Sequence, residues 1–523
     1  MKRCPECLRD YVDDTLLYCL EDGVSLVQGS VPSPDEPKTE ILSRAEAFRA
    51  SGDATAIFEH SSRPIEPNSV AVLPFVHLSS QPDDEFFCDG LAEELINALT
   101  KIESLKVAAR TSTFSFKGKD TKINEIAQTL GVNKILEGSV RKAGDRIRIT
   151  VQLVNASDGY QVWSERYDRE MKDIFAVQDE IALAVVEALK VKLLQTERSA
   201  ILKKATENPE AYELYMRGRY FWNRRTVGDF ERAIEQFEAA IEVDPAYALA
   251  YSGVADCLLF LGYYEAYPPA EAAPKAKAAV TKALAMDSSL AEAHASMAMY
   301  KLYFEFDWKG GEEGLRKAID LNSKLATARY WYCSFLDALG RYDESLEQGR
   351  IAHELDPLDL ITLGNIVRTL THAGRCEEAV ELALKTLEIA PDFYVTHWAL
   401  AVAYLKMGRF EEAVERFRFA AVRGWIFLRA YLAYALARSG HAEEAREMLA
   451  EFHVEKDRGY VSPLCMCVIH MGLGEIDKAL DWLEEAWKLR TILLMWIKVE
   501  PIFDMLRGEP RFEALLQRMN LSE

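Results

Sequence analysis

Cysteine is scarce in this chain, at 9 residues in 523. A disulfide framework needs far more, and an odd count would leave one thiol unpaired in an oxidising compartment, so a reduced, cytoplasmic setting is expected. Basic residues are in deficit as well. There are 62 Lys and Arg against 83 Asp and Glu, and the net charge of -21 disfavours nucleic acid and anionic membrane as general partners. No segment offers the roughly 18 uninterrupted apolar residues of a membrane span, and the opening Met1-Lys2-Arg3-Cys4-Pro5 lacks the apolar stretch of a secretory signal. Three catalytic signatures are also missing: a Gly-rich phosphate loop, a His-Glu-x-x-His helix and a Gly-x-Ser-x-Gly elbow. The expectation is a chain that is not an enzyme.

What is present falls into three regimes. Residues 1–27 hold Cys4, Cys7 and Cys19, with Cys4-Pro5-Glu6-Cys7 and Cys19-Leu20-Glu21-Asp22 as two knuckle-like pairs at the same internal spacing. Such spacing reads as a small zinc ribbon with one structural ion, three thiolates and the Asp22 carboxylate completing a tetrahedral shell. So few residues bury too little apolar surface to fold alone, which makes metal the organising force. A water or a ligand from elsewhere in place of Asp22, and a metal-free redox role, stay open as alternatives. Residues 28–68, with Pro32, Pro34, Pro37, Pro64 and Pro67, read as a flexible linker.

Residues 69–200 alternate strand and helix. Val70–Val76 suits a buried strand, and Leu91, Leu95, Ile96, Leu99 and Ile102 recur at helical spacing. A helix through Ile123, Ile126 and Leu130 stops at Gly131. Strands at 134–141 and 146–154 flank the Ala143-Gly144-Asp145 turn as a hairpin, since Ile147, Ile149, Val151 and Leu153 alternate with polar residues. A further strand near 160–166 and a long helix from Asp173 complete the pattern. The stretch 101–150 alone runs basic, with 11 Lys and Arg against 5 Asp and Glu.

Five motifs follow one another through this region: Val70-Ala71-Val72-Leu73-Pro74-Phe75, Asp89-Gly90-Leu91-Ala92-Glu93-Glu94-Leu95, the run from Ala109 to Gly118 (Ala-Arg-Thr-Ser-Thr-Phe-Ser-Phe-Lys-Gly), Leu136-Glu137-Gly138-Ser139-Val140-Arg141 and Trp163-Ser164-Glu165-Arg166-Tyr167-Asp168. On these residues the region resembles the TolB-like amino-terminal domain, related to the FlgO-like domains, that bacterial signalling proteins carry before tetratricopeptide arrays. The resemblance implies a compact α/β domain without established catalytic residues, joined to a variable N-terminal module such as a kinase, a cyclase or a DNA-binding domain.

From 207 to 523 the sequence repeats. Gly340, Gly374, Gly408, Gly440 and Gly474 recur every 32 to 34 residues, each followed five residues later by a small residue, Ser345, Ala379, Ala413, Ala445 or Ala479. That register defines a solenoid of paired helices, about eight repeats of tetratricopeptide type, with insertions around Arg224–Gly228 and Tyr263–Pro274. In it, Tyr330, Arg368, Trp398, Lys406, Tyr434 and Arg438 fall at first-helix positions facing the groove. Their mixture of rings and cations favours a peptide with acidic and apolar groups. Packing between repeats or a solvated face is the plain alternative for each.

The expected architecture is thus multidomain: zinc ribbon, α/β domain, all-α superhelical repeat array. The function expected of it is a protein-protein interaction adaptor or scaffold in bacterial signalling or regulation. The alternative is a nucleic-acid-associated transcriptional regulator that uses the ribbon and the basic hairpin.

Overall fold

A computed structural model describes residues 66–78 and 85–521, and the backbone of three short strands nearer the N-terminus. The chain divides into two compact units, Met1–Ala54 and Thr55–Glu523. Within the first, β1 (Lys2–Arg3) pairs antiparallel with both β2 (Asp10–Tyr11) and β3 (Val27–Gln28). Cys4, Cys7, Cys19 and Asp22, and so the expected zinc ribbon, lie outside the described residues, as does most of the 28–68 stretch.

The second unit opens with a mixed sheet. Its strands are β4 (Glu66–Val72), β5 (Val76–His77), β6 (Lys106–Val107), β7 (Val132–Ala143), β8 (Arg146–Asn155) and β9 (Gln161–Glu170), in the order β6-β4-β7-β8-β9 with β5 also on β7. β4 runs parallel to β6 and β7, while β7, β8 and β9 form an antiparallel meander. Strand alternation divides the core. Val70, Val72, Ile149 and Val151 face the helices Glu85–Thr100 and Ile174–Ala188, whereas Ala71 and Ile135 face the helix Ile123–Leu130. Gly131 ends that last helix in the left-handed conformation, φ 65°, which only glycine adopts without strain. The hairpin register places Arg146 opposite Ala143, and both strands run longer than the apolar pattern alone marks.

Eight helix pairs follow, from Pro209–Trp222 and Val227–Val243 to Pro463–Gly472 and Ile476–Lys488. Gly340, Gly374, Gly408, Gly440 and Gly474 have φ between 73° and 92°, which lets each first helix end and the second start within a few residues. Ser345, Ala379, Ala413, Ala445 and Ala479 are fully buried at the helix crossings, and Phe237 and Phe417 fill the spaces between turns. Pro274 is a departure from expectation. It sits inside the helix Pro269–Met286 rather than in an insertion, close enough to the first turn to disturb few backbone bonds.

The glycine register goes one step further than the sequence pattern suggested. Gly508 lies 34 residues after Gly474 with φ 86°, and the helix Pro510–Arg518 follows it. Where the first helix of this pair belongs, the chain forms two 3-10 turns instead, Ile492–Trp496 and Pro501–Leu506. Pro501 lacks the N–H that a continuous helix would need there. No helix among the described residues is long and apolar enough to cross a membrane.

Candidate partner-binding groove

The two 3-10 turns pack on Ala248–Tyr263, Ala326–Ala338, Tyr394–Lys406 and Pro463–Gly472, all of them first helices of their pairs. So short a segment reaches pairs two, four, six and eight at once only along the inside of the superhelical curve. The segment Ile492–Leu506 therefore occupies the concave groove.

Its contacts alternate apolar and acidic. The Arg368 guanidinium lies 4.6 Å from the centre of the Trp496 ring and its Nε pairs with Asp337 Oδ2 at 3.2 Å. His372 bridges two acids, Nδ1 to Asp337 Oδ1 at 2.9 Å and Nε2 to Glu500 Oε2 at 3.2 Å, with its side chain fully buried. Burial works against charge on this imidazole, but Asp337 and Glu500 outweigh it and push His372 up to about 9. Burial likewise opposes the Asp337 carboxylate, yet His372 and Arg368 hold it below the usual range. At the open end, Lys406 Nζ meets Asp504 Oδ2 at 2.8 Å. The fit leaves a void of only about 20 Å³ among Tyr263, Arg368, Trp398, Trp496, Glu500 and Phe503.

The six groove residues named from sequence divide accordingly. Arg368 and Lys406 touch the segment directly, and Trp398 shares the small void with it while stacking edge-on against Trp425 and Tyr431. Tyr434 is buried near Asp504. Tyr330 accepts a hydrogen bond from Trp331 Nε1 at 2.6 Å, and Arg438 lies over the Phe410 ring. Part of the groove expected to receive an outside peptide is thus occupied by this chain's own segment, along Arg368, Trp398 and Lys406. Sequence reasoning missed Asp337, His372, Trp496, Glu500 and Asp504. The available signal was Glu500 and Asp504, with Lys498, within a mostly apolar run.

A second cluster joins the sheet domain to the repeats. Glu93 is paired with Arg110 Nε and with Arg219 Nη2, each at 2.7 Å, and accepts from Asn223 Nδ2 at 3.2 Å. Burial disfavours its charge, but the two guanidinium groups more than compensate and keep it ionised. Lys117 pairs with Asp89, and the Ser112 N–H and hydroxyl donate to Asp356 Oδ1 at 3.1 and 2.5 Å. Motif residues at 89–118 thus lock the domain onto the first and fourth repeats.

The family described as "HilA/YgeH-like transcriptional regulator, second domain" matches residues 66–184, and tetratricopeptide-repeat families match 225–247, 360–390, 394–418 and 427–451. A HilA-like domain therefore precedes tetratricopeptide repeats. The chain is 36% identical over 238 residues to "Putative adenylate cyclase 3" of Rhizobium meliloti, a match covering 45% of this chain and 40% of that protein. It is 22% identical over 265 residues to "TPR repeat-containing protein YpiA" of Bacillus subtilis, covering 50% of this chain and 60% of the relative. Yeast Tom70 is a structural neighbour at TM-score 0.38 and 16% identity, covering 66% of this chain and 82% of that one. The matches thus span 40% to 60% of the curated relatives' length.

The cyclase relative overturns the expectation that the chain is not an enzyme. That expectation rested on three missing motifs, and those motifs do not exhaust the ways a protein carries catalysis. The repeats themselves mark a protein-protein interaction scaffold.

Proposed function

We propose that this chain is an interaction scaffold in bacterial nucleotide signalling, with a groove that recognises protein segments bearing acidic groups among large apolar side chains. One observation supports the reading above the rest: Ile492–Leu506 lies in the groove with Trp496 under Arg368, Glu500 on His372 and Asp504 on Lys406. In this reading Tyr330, Arg368, Trp398, Lys406, Tyr434 and Arg438 form the contact surface for a partner that takes the segment's place. The link to nucleotide signalling rests on the cyclase relative, and the sheet domain on this reading is of the TolB-like kind. Residues 1–27, 28–68, 69–200 and 207–523 are its four divisions, and Cys4, Cys7, Cys19 and Asp22 hold one structural zinc ion.

The test is displacement. A fluorescent peptide of residues 491–507 should bind the full chain weakly and bind the Trp496→Ala variant at least tenfold more tightly, because the variant's own segment competes less well. Equal, negligible binding to both would defeat the proposal. Formation of cyclic AMP from ATP by the full chain is measured alongside. Metal analysis should find about one zinc per chain, lost in Cys7→Ser.

A second reading, a nucleic-acid regulator, draws on the HilA-like match and on Arg141, Arg146, Arg148 and Arg166, which are exposed on the outer face of the hairpin and β9. Asp168 pairs with both Arg148 and Arg166 on that face, which weakens it as a phosphate surface. Salt-sensitive binding to DNA would favour this reading.

A further inference from the structure

The segment fills only part of the groove. At the other end, the helices Glu85–Thr100 and Ile174–Ala188 of the sheet domain and the first helices of the first four pairs line a partly open chamber of about 280 Å³. That volume falls just below the range for small-ligand pockets, roughly 300 to 1,000 Å³, so only a compact ligand fits. Rings dominate much of its wall, among them Phe175, Tyr212, Tyr215, Trp222, Tyr247 and Trp331.

The charges in this wall are unequally committed. Arg219 is engaged by Glu93 at 2.7 Å, Lys203 by Asp287 at 2.6 Å, and Lys101 donates to the Ala200 carbonyl at 2.9 Å. The acids are freer. Glu94 accepts a single long bond from Asn97 at 3.3 Å, Asp256 is hydrogen-bonded by Ser296, and neither forms an ion pair among the described residues. The buried Trp222 indole N–H, also in the chamber wall, has no partner. A partly open space with aromatic walls and two carboxyl groups outside any ion pair, which Arg219 reaches only at longer range, fits a ligand with positive charge on a compact carbon body.

We propose that this chamber binds a small organic amine, whose ammonium group meets the Glu94 and Asp256 carboxyls while its carbon skeleton packs on the Tyr and Trp rings. Burial raises both carboxyls, Glu94 up to about 7 with the neighbouring Glu93 charge adding to it, and Asp256 up to about 6. A cation arriving at either carboxyl holds it ionised against burial. Walls of the chamber come from both the sheet domain and four repeat pairs, so occupancy would tie domain and array more tightly together.

The experiment uses the full chain with putrescine, agmatine and tyramine as probes, followed by calorimetry and thermal melting up to about 10 mM amine, a concentration that detects affinities in the millimolar range. At least one amine should bind saturably and raise the melting temperature. Glu94→Gln and Asp256→Asn should each weaken that binding tenfold or more. Both substitutions keep side-chain size and remove a charge that burial disfavours, so both should melt no lower than the parent; Trp222→Phe, which shrinks the aromatic wall and the surface under Arg219 and Arg225, serves as a third variant. Absence of binding by all three amines would overturn the proposal, as would amine binding untouched by all three variants. Binding of ATP or cyclic AMP that is lost in these variants, with no amine bound, would assign the chamber to nucleotides and overturn it equally.

Discussion

Arg368 holds Trp496 on one side and Asp337 on the other, 4.6 Å from the ring centre and 3.2 Å from the carboxylate oxygen. A residue of the fifth repeat's first helix is thereby fixed both to its neighbouring repeat and to the segment that occupies the groove. Asp337 also takes His372, so one buried carboxylate orients two of the three cations that receive the segment.

Trp496→Ala should release the segment. The indole is buried among rings and a guanidinium, and truncating such a side chain costs about 3 to 5 kcal/mol, most of it lost on the docked state. Hydrogen exchange across 492–506 should accelerate strongly while the helices of repeats four to six keep their protection. Uniform protection would show that the segment is held by other contacts.

The Lys406–Asp504 pair is half exposed and should matter far less. Exposed pairs contribute about 0 to 1 kcal/mol, so Lys406→Glu should raise exchange at 501–506 only slightly, and adding Asp504→Lys should reverse the effect. A large loss in the single variant, unrepaired in the double, would point to packing by the lysine stem.

Raising the pH should loosen the same segment. His372 has its pKa raised to about 9 in the fold, above the ordinary imidazole value, so its contribution is complete below about pH 6.5 and is lost as pH rises through about 9. Exchange at 492–506, corrected for intrinsic rate, should therefore increase between pH 7.5 and about 10. His372→Gln should exchange quickly at both values.

Two further buried acids, Asp356 at the domain-repeat junction and Glu265 within the array beside Cys465, carry a second pH dependence of the same sign. Burial and the adjacent Asp359 raise Asp356 to about 7, and burial raises Glu265 to about 7. Acids raised in the fold stabilise it fully below their unfolded values and lose that contribution as pH climbs through the folded ones. The chain should accordingly melt higher at about pH 6 than at about pH 8.5. Asp356→Asn, whose amide oxygen still accepts from Ser112, should flatten part of that slope.

Breaking the Glu93 cluster should cost as much as truncating Trp496. Glu93→Gln leaves Arg110 and Arg219 sharing a neutral acceptor in a buried site, and removing one partner from a buried charge cluster costs about 3 to 5 kcal/mol. Proteolysis between the sheet domain and the first repeat, near residues 190–206, should become faster. Unchanged cleavage would show that apolar packing of the helix Glu85–Thr100 holds the junction alone.

What could be read from sequence was local. The hairpin came from alternation about Gly144, the helix ends from Gly131 and the repeat glycines, and the crossings from Ala413 and its equivalents, because each of these follows from the backbone or the nearest turn. The groove contents could not be read that way. His372 and Glu500 are 128 positions apart and Ser112 and Asp356 are 244, so neither pairing leaves a mark in any window of sequence. The segment itself hides in its composition. Ile492-Leu493-Leu494-Met495-Trp496 looks like one more packing helix, and only Pro501 and the spacing to Gly508 betray that a first helix has been given up.

That exchange of a helix for a tethered segment sets a threshold for every competitor. Only a few residues separate Lys488, the end of the eighth pair's second helix, from Ile492, so the segment meets the groove at an effective concentration on the order of millimolar or higher. A free protein present at about micromolar levels must therefore bind roughly a thousandfold more tightly than the segment's own intrinsic affinity to displace half of it. Partners that are abundant, that arrive already held nearby, or that grip a second surface of the chain cross this threshold; a lone peptide with the same contacts does not.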